Sequence, residues 1–444
     1  MGTETMREIE LDITTLAHGG RGMGRHDGKA IFVPLTMPGD RVHCRIVKAK
    51  ARFAEAELVE IITPSPQRQA APCPYFEKCG GCQWQHMPYP LQSEWKAKIF
   101  ADLLTRSGVA EEDTLLSIVP SPSEWSYRNR VQFKCEQSGD ARKSDDRFVM
   151  GFYRPESHDI VDIEKCMLAD EKIQQLYTLL RQELPKSPRA DAISQVDVSC
   201  GDDDKTRVIV HVAPKAVAKM EPWLQKLAEK NGFDACLQSG AKNTLQKVSG
   251  VGQTLVRPEA DEPKLYSNPG GFVQVNPPQN RNMVAAMIER LQLTGKEKVL
   301  DLFCGMGNFS LPLAKRCAQV VGVENYAPAI MDARRNARRN ADRDQQANAE
   351  FHVADAASYL RNTRPGDFDL VVLDPPRSGS APVTKALLEV RPERVLYISC
   401  DPATLTRDLK QLVQNGYQVV SAQAFDLFPQ TWHIESMTLL QRCD

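Results

Sequence analysis

Cys400 ends the stretch Val395-Leu-Tyr-Ile-Ser-Cys400-Asp-Pro, an apolar run that stops at a thiol. A run of that length reads as a buried parallel strand. In open α/β sheets, ligands bind just beyond the carboxyl ends of such strands, so the thiol stands where a nucleophile is useful. Two further motifs close apolar runs upstream. They are Asp301-Leu-Phe-Cys-Gly305-Met-Gly307-Asn308 and, after residues 370–373, Asp374-Pro-Pro-Arg377. Three strand-end motifs in this order imply a nucleotide-type cofactor beside a nucleophilic cysteine.

The cofactor is read from the first motif and the acids that follow it. Val299 to Asn308 has the pattern strand, glycine turn, helix, and glycine lets a backbone approach a ligand without an intervening side chain. Glu324 ends Val320-Val-Gly-Val-Glu324, about 20 residues on, where a carboxylate meets ribose hydroxyls. Asp355, after Phe351-His-Val-Ala, ends a third strand and suits an adenine amino group. No second phosphate-binding glycine and no Walker lysine accompany the turn, which disfavours NAD and ATP. The layout fits S-adenosyl-L-methionine, a nucleoside without phosphates.

Arg377 follows the two prolines where enzymes that methylate exocyclic amines commonly place an aromatic ring. Cysteine-dependent chemistry at a pyrimidine C5 is the better match. C5 is a poor nucleophile until a thiolate adds to C6, after which it can attack a sulfonium methyl; a base then removes the C5 proton and the thiolate departs. A free cysteine is only roughly a few per cent thiolate near neutral pH. Cys400 precedes an expected helix over Pro402–Asn415, whose N-terminus would favour the anion. Glu435, in Phe428-Pro-Gln-Thr-Trp-His433-Ile-Glu435, is the candidate base if the last strand is antiparallel and starts at the edge where the parallel strands end. His433 is the rival base. A separate group of thiols, Cys73, Cys79 and Cys82, with Cys166 as a fourth, has spacing open to zinc or to an iron–sulfur cluster.

These residues need elements to hold them. The chain has 444 residues and a formal net charge of −1, so two or three domains are expected and nucleic acid must be met by local basic patches. No apolar segment approaches membrane-spanning length and the N-terminus lacks a signal-peptide core, which implies a cytoplasmic protein without membrane contact. Residues 1–64 read as a small OB-like β-barrel, from the alternation in Arg7–Ile13 and strands over 30–33, 40–47 and 55–62. Residues 65–267 begin with a proline-rich linker and read as an α+β domain. Residues 268–444 alternate strand-like and helical runs and read as a doubly wound, Rossmann-like sheet. Arg21, Arg25, Lys29, Lys48, Lys50 and Arg52 fall near barrel loops, and Tyr127-Arg-Asn-Arg130 with Lys134 offers a basic strand with an aromatic neighbour. Both are candidate RNA contacts.

Taken together, the glycine turn, Asp374-Pro-Pro-Arg377, Ser399-Cys400-Asp401-Pro402 and the terminal Thr431-x-His433-x-Glu435 resemble the RNA uracil-C5 methyltransferases. The likeness covers nearly the whole chain, because the N-terminal barrel resembles a TRAM domain. The resemblance implies Cys400 as nucleophile and Glu435 as base. It also implies S-adenosyl-L-methionine contacts from Gln274, Phe303, Asn308, Glu324, Asp355 and Asp374, and a 4Fe-4S cluster on Cys73, Cys79, Cys82 and Cys166. Barrel plus cysteine cluster points to the members that act on 23S rRNA, since tRNA-specific relatives lack the cluster. A monomer with no obligate protein partner is expected. The alternatives are a tRNA or other-site rRNA uracil methyltransferase, and a non-catalytic iron–sulfur assembly factor that binds RNA.

Overall fold

The computed structural model describes residues 7–138, 147–341 and 348–443. Near the N-terminus six strands pair in the order Glu8–Asp12, Arg41–Ala49, Phe53–Thr63, Lys29–Val33, Gly22–His26 and Thr15–Leu16. Their alternating apolar residues, among them Ile9, Leu11, Ile31, Val33 and Val42, pack into a small separate core, as period-two patterning requires. The stretch from His18 to Gly24, which reads as a turn, ends inside a strand: Gly22 pairs with Val33 and Gly24 with Ile31.

A seven-stranded sheet occupies the middle of the chain, ordered Ile160–Asp162, Arg147–Tyr153, Arg130–Ser138, Ile193–Cys200, Thr206–Val212, Asp234–Gln238 and Gln246–Ser249. Helices Glu171–Glu183 and Val217–Asn231 bury Ile173, Tyr177, Leu180, Met220 and Leu224 in one core with this sheet. The second helix stops at Gly232, whose φ of 71° is the left-handed conformation that glycine adopts without strain.

The C-terminal sheet has eight strands in the order Ala349–Val353, Gln319–Glu324, Lys298–Leu302, Leu370–Leu373, Arg394–Ser399, Glu435–Arg442, Tyr417–Phe425 and Leu115–Val119. It is mixed. The first five strands are mutually parallel, and Glu435–Arg442 runs antiparallel to both its neighbours. The eighth strand comes from a stretch that composition groups with the middle of the chain, and it pairs in parallel with Tyr417–Phe425. Helix Tyr89–Arg106 also joins this layer. Its Ile99, Phe100 and Leu104 share a core with Tyr397, Leu405 and Leu409, and so do Leu16 of the N-terminal sheet and Met37 of the loop after Lys29–Val33.

Candidate active site

The parallel strands deliver the site because their ends line up. Leu373 lies opposite Tyr397, so Asp374 and Cys400 leave the sheet at the same edge. Ser436 lies opposite Ser399, and its hydroxyl donates to the Ser399 carbonyl at 3.1 Å. The antiparallel strand therefore begins, at Glu435, beside the place where Cys400 emerges. Glu435 is buried, 3% exposed, while Cys400 and Asp374 are half-buried.

Burial governs the electrostatics here. It pushes the Cys400 thiol up to about 12, helped by Glu435 and then Asp374, while Arg377 pulls it back. Burial and Asp374 hold Glu435 well above the ordinary carboxylate range, again opposed by Arg377. Asp374 is pushed up to about 7 by burial and by Asp301. Asp301 is itself buried on strand Lys298–Leu302, hydrogen-bonded by Ser310, and pushed up to about 7. Desolvation disfavours the charged form of each of these acids, so the edge is proton-rich and wants positive charge.

His433 precedes the last strand rather than lying within it. Its Nε2 accepts from the Arg377 guanidinium at 3.4 Å, and its ring lies 4.2 Å from that of Trp432. Burial, then Arg377, drives its proton affinity down to about 3. A neutral imidazole already engaged with an arginine is a poorer proton acceptor than a carboxylate.

The loop that carries His433 is pinned from several sides. Lys96 Nζ and Asp426 Oδ1 stand 2.6 Å apart, both side chains fully buried, and Lys96 also donates to the Phe428 carbonyl at 3.0 Å. The Gln430 N–H donates to Gln92 Oε1 at 2.9 Å, and its carbonyl accepts from the N–H groups of Gln83 and Trp84. The Tyr127 hydroxyl donates to the Pro429 carbonyl at 3.0 Å. Sequence reasoning missed Lys96, Asp426 and Gln92, because a lysine or glutamine on a helix ordinarily reads as solvated and no local signal joins the pair.

A cavity of about 180 Å³ beside the glycine turn is lined by Glu324, Gly305, Met306, Tyr326, Gly270 and Phe272, among others; of the six residues expected to contact the cofactor, only Glu324 lines it. Glu324 Oε1 accepts from the Tyr326 N–H at 2.8 Å. Phe303 takes the left-handed backbone conformation, φ 63°, at the turn out of the first strand. Asn308 exchanges two side-chain hydrogen bonds with buried Asn280, at 2.9 and 3.0 Å. Asp355 is exposed and caps helix Ala356–Arg361 by accepting from the Ser358 N–H at 2.9 Å. Gln274 is half-buried on the segment leading to helix Pro277–Leu291.

Cys73, Cys79, Cys82 and Cys166 line a second cavity, of about 500 Å³, together with Arg128 and Phe272. Burial raises Cys79 to about 11 and Cys82 to about 12. Arg128 draws Cys82 and Cys166 back down. Among the described residues, no three histidine, cysteine or acidic side chains are gathered tightly enough to hold one metal ion.

The basic strand proposed for RNA is engaged internally instead. Tyr127 is 4% exposed and cannot stack on a base. Arg130 meets Asp197 and the Gly271 carbonyl, and Lys134 meets Gln195. In the N-terminal sheet, Arg21 is paired with Glu55 and Glu156. Arg130 is claimed by the buried Asp197, Lys134 by a neutral amide and Arg21 by surface acids, partners that composition alone does not reveal.

Comparison with known proteins sets these features in context. The family described as tRNA (Uracil-5-)-methyltransferase matches residues 112–443, and the TRAM domain matches residues 3–59. The 23S rRNA (uracil(1939)-C(5))-methyltransferase RlmD of Alkalilimnicola ehrlichii is 35% identical over 98% of this chain and 96% of its own length. The protein of the same name from Pectobacterium atrosepticum is 33% identical over 98% and 93%. Among solved structures, the Pyrococcus abyssi tRNA (uracil-54, C5)-methyltransferase, in complex with S-adenosyl-L-homocysteine, superposes with a TM-score of 0.72 at 25% identity. That match covers 97% of this chain and all of the other.

Proposed function

The chain belongs to the tRNA (uracil-5-)-methyltransferase family, and we propose that it methylates C5 of a uridine in 23S rRNA. The observation that carries this reading is the meeting of Cys400, Asp374 and Glu435 at one sheet edge. When bound, S-adenosyl-L-methionine supplies an electrophilic methyl group on a positively charged sulfur. The residues that would hold it are Glu324, which lines the cavity, with Gln274, Phe303, Asn308, Asp355 and Asp374, as the family resemblance implies. Cys400 adds as thiolate to C6 of the uracil, and the electron pair moves to C5, which takes the methyl group. Glu435, as carboxylate, removes the C5 proton; the electron pair restores the C5–C6 double bond and the thiolate leaves. Arg377 offsets the negative charge of both groups.

The choice of 23S rRNA follows the full-length RlmD relatives. A target uridine inside folded RNA must leave its stack to reach the thiol. A 4Fe-4S cluster on Cys73, Cys79, Cys82 and Cys166 fits the second cavity. Four thiols line one cavity of about 500 Å³, and Arg128 supplies positive charge beside them. The cluster's part is structural, tying the cysteine loop to the middle sheet, since methyl transfer moves no net electrons. Among the described residues, no helix is long and apolar enough to cross a membrane. A monomer working on ribosomal RNA in the cytoplasm is part of the proposal.

The test is incubation with methyl-labelled cofactor and 23S rRNA from a strain lacking the gene, followed by mapping of 5-methyluridine. Label at one uridine supports the reading. Tight RNA binding without transfer would favour a non-catalytic assembly factor, and transfer to tRNA would move the substrate.

A further inference from the structure

The glycine loop of the N-terminal sheet reaches the candidate nucleophile. His18 Nε2 lies 3.8 Å from Asp401 Oδ2, and Asp401 is the residue after Cys400. That nitrogen is buried and makes no hydrogen bond. The His18 ring stands edge-on to Trp432, with centroids 5.4 Å apart. Trp432 in turn packs on His433, the partner of Arg377.

The approach is close and held. A Cβ on Gly20 would stand 2.6 Å from Trp432 Cβ, so only glycine fits. The Gly20 carbonyl accepts from Trp84 Nε1 at 3.0 Å. Leu16, two residues before His18, is buried in the same core as Trp84 and Tyr397.

Asp401 shapes the turn that presents the thiol. Its carboxylate caps helix Pro402–Val413, accepting from the Thr404 N–H at 2.9 Å. Its N–H donates to Ser399 Oγ at 3.2 Å, and its carbonyl accepts from the same hydroxyl at 3.1 Å. Ser399, Cys400 and Asp401 thus form one hydrogen-bonded unit, and His18 faces its acidic end.

We propose that His18 is a positioning residue for methyl transfer, holding Asp401 and through it the turn that aims the Cys400 thiol. The TRAM sheet then forms part of the wall of the catalytic site, in addition to any grip on RNA. The inference rests on the methyltransferase reading above. A ring protonated at Nε2 donates to the carboxylate after a small closing movement, which gives the orphaned nitrogen its partner.

The test compares the full-length wild type with His18→Phe and His18→Gln on a 23S rRNA fragment. Phenylalanine keeps the ring against Trp432 and removes the nitrogen; the glutamine amide can still reach Asp401. His18→Phe should lower kcat and the rate of covalent adduct formation about tenfold, the scale of one hydrogen bond to a charged group. KM for RNA should stay within about twofold, because a loss confined to the transition state leaves binding alone. His18→Gln should recover most of the rate. Asp401→Asn should also lower kcat, and its effect should not add to that of His18→Phe. If His18→Phe loses its thermal transition, Asp401→Asn alone weakens the same contact by removing the carboxylate's charge and must slow adduct formation. A wild-type kcat in His18→Phe, or a raised KM with kcat unchanged, overturns the proposal, and the second result makes His18 an RNA contact. Absence of transfer by the wild type sinks the methyltransferase reading instead.

Discussion

Cys400 and Glu435 each adjoin a residue of the Ser399–Ser436 pair that joins two antiparallel strands, and the carboxyl lies close enough to act on the thiol. Burial raises the proton affinity of both, and the carboxyl adds to the thiol's reluctance to ionise. A positive charge beside Asp374, such as a sulfonium, would favour the ionised form of both groups.

Cys400→Ala should remove turnover by at least about a thousandfold, as loss of a nucleophile does, while leaving RNA affinity near wild type. Gel-shift and methyl-transfer assays on one preparation check this. Near-normal transfer would dispose of the covalent route.

Glu435→Gln should slow turnover by about a hundredfold to ten-thousandfold, the range of a lost general base. Addition and methylation should still occur, so a protein–RNA adduct that survives denaturing electrophoresis should accumulate. If none forms and His433→Ala traps one, the base has been misassigned.

Cofactor binding should be linked to protons through Asp374. Its affinity is raised from 3.8 to about 7 in the ligand-free fold. The stabilising effect of its neutral form is fully present below the ordinary carboxylate value and is lost as pH rises through about 7. Asp374→Asn should therefore melt higher than wild type above neutrality, with the gap closing in mild acid. By the same linkage, calorimetry at a pH of about 6.5 should show S-adenosyl-L-methionine binding with proton release, and S-adenosyl-L-homocysteine, which lacks the charge, with less. Equal release by both ligands would contradict the proposed charge balance.

Lys96→Met should be severely destabilising, by about 3–5 kcal/mol, because it strands the buried Asp426 carboxylate without its partner. Replacing both residues, Lys96→Met with Asp426→Leu, should restore much of the loss. Denaturant titration distinguishes the two variants. The single substitution should also reduce activity below the melting range, since Lys96 holds the Phe428 carbonyl of the His433 loop.

What the sequence made legible was local. Apolar runs stopping before Asp374 and at Cys400 marked strands now seen over Leu370–Leu373 and Arg394–Ser399. Gly232 marked the end of its helix because its backbone must turn left-handed there. What stayed hidden depends on distant partners. Tyr127 sits among arginines and reads as a surface aromatic, but the Pro429 carbonyl and the protein interior claim it. The Lys96–Asp426 pair and the approach of His18 to Asp401 join opposite ends of the chain, beyond the reach of any periodicity. Leu115–Val119 carries too little alternation to announce that it pairs with a strand as distant in the chain as Tyr417–Phe425.

That outermost strand has a practical bearing on how the protein can be divided. Because Leu115–Val119 pairs beside Tyr417–Phe425, and Tyr89–Arg106 packs beneath, a fragment starting near residue 268 would leave a sheet margin bare and an apolar surface uncovered. The catalytic half is not a cassette that can be excised and grafted elsewhere; a shortened version would have to retain these early residues, or bring in substitutes for them.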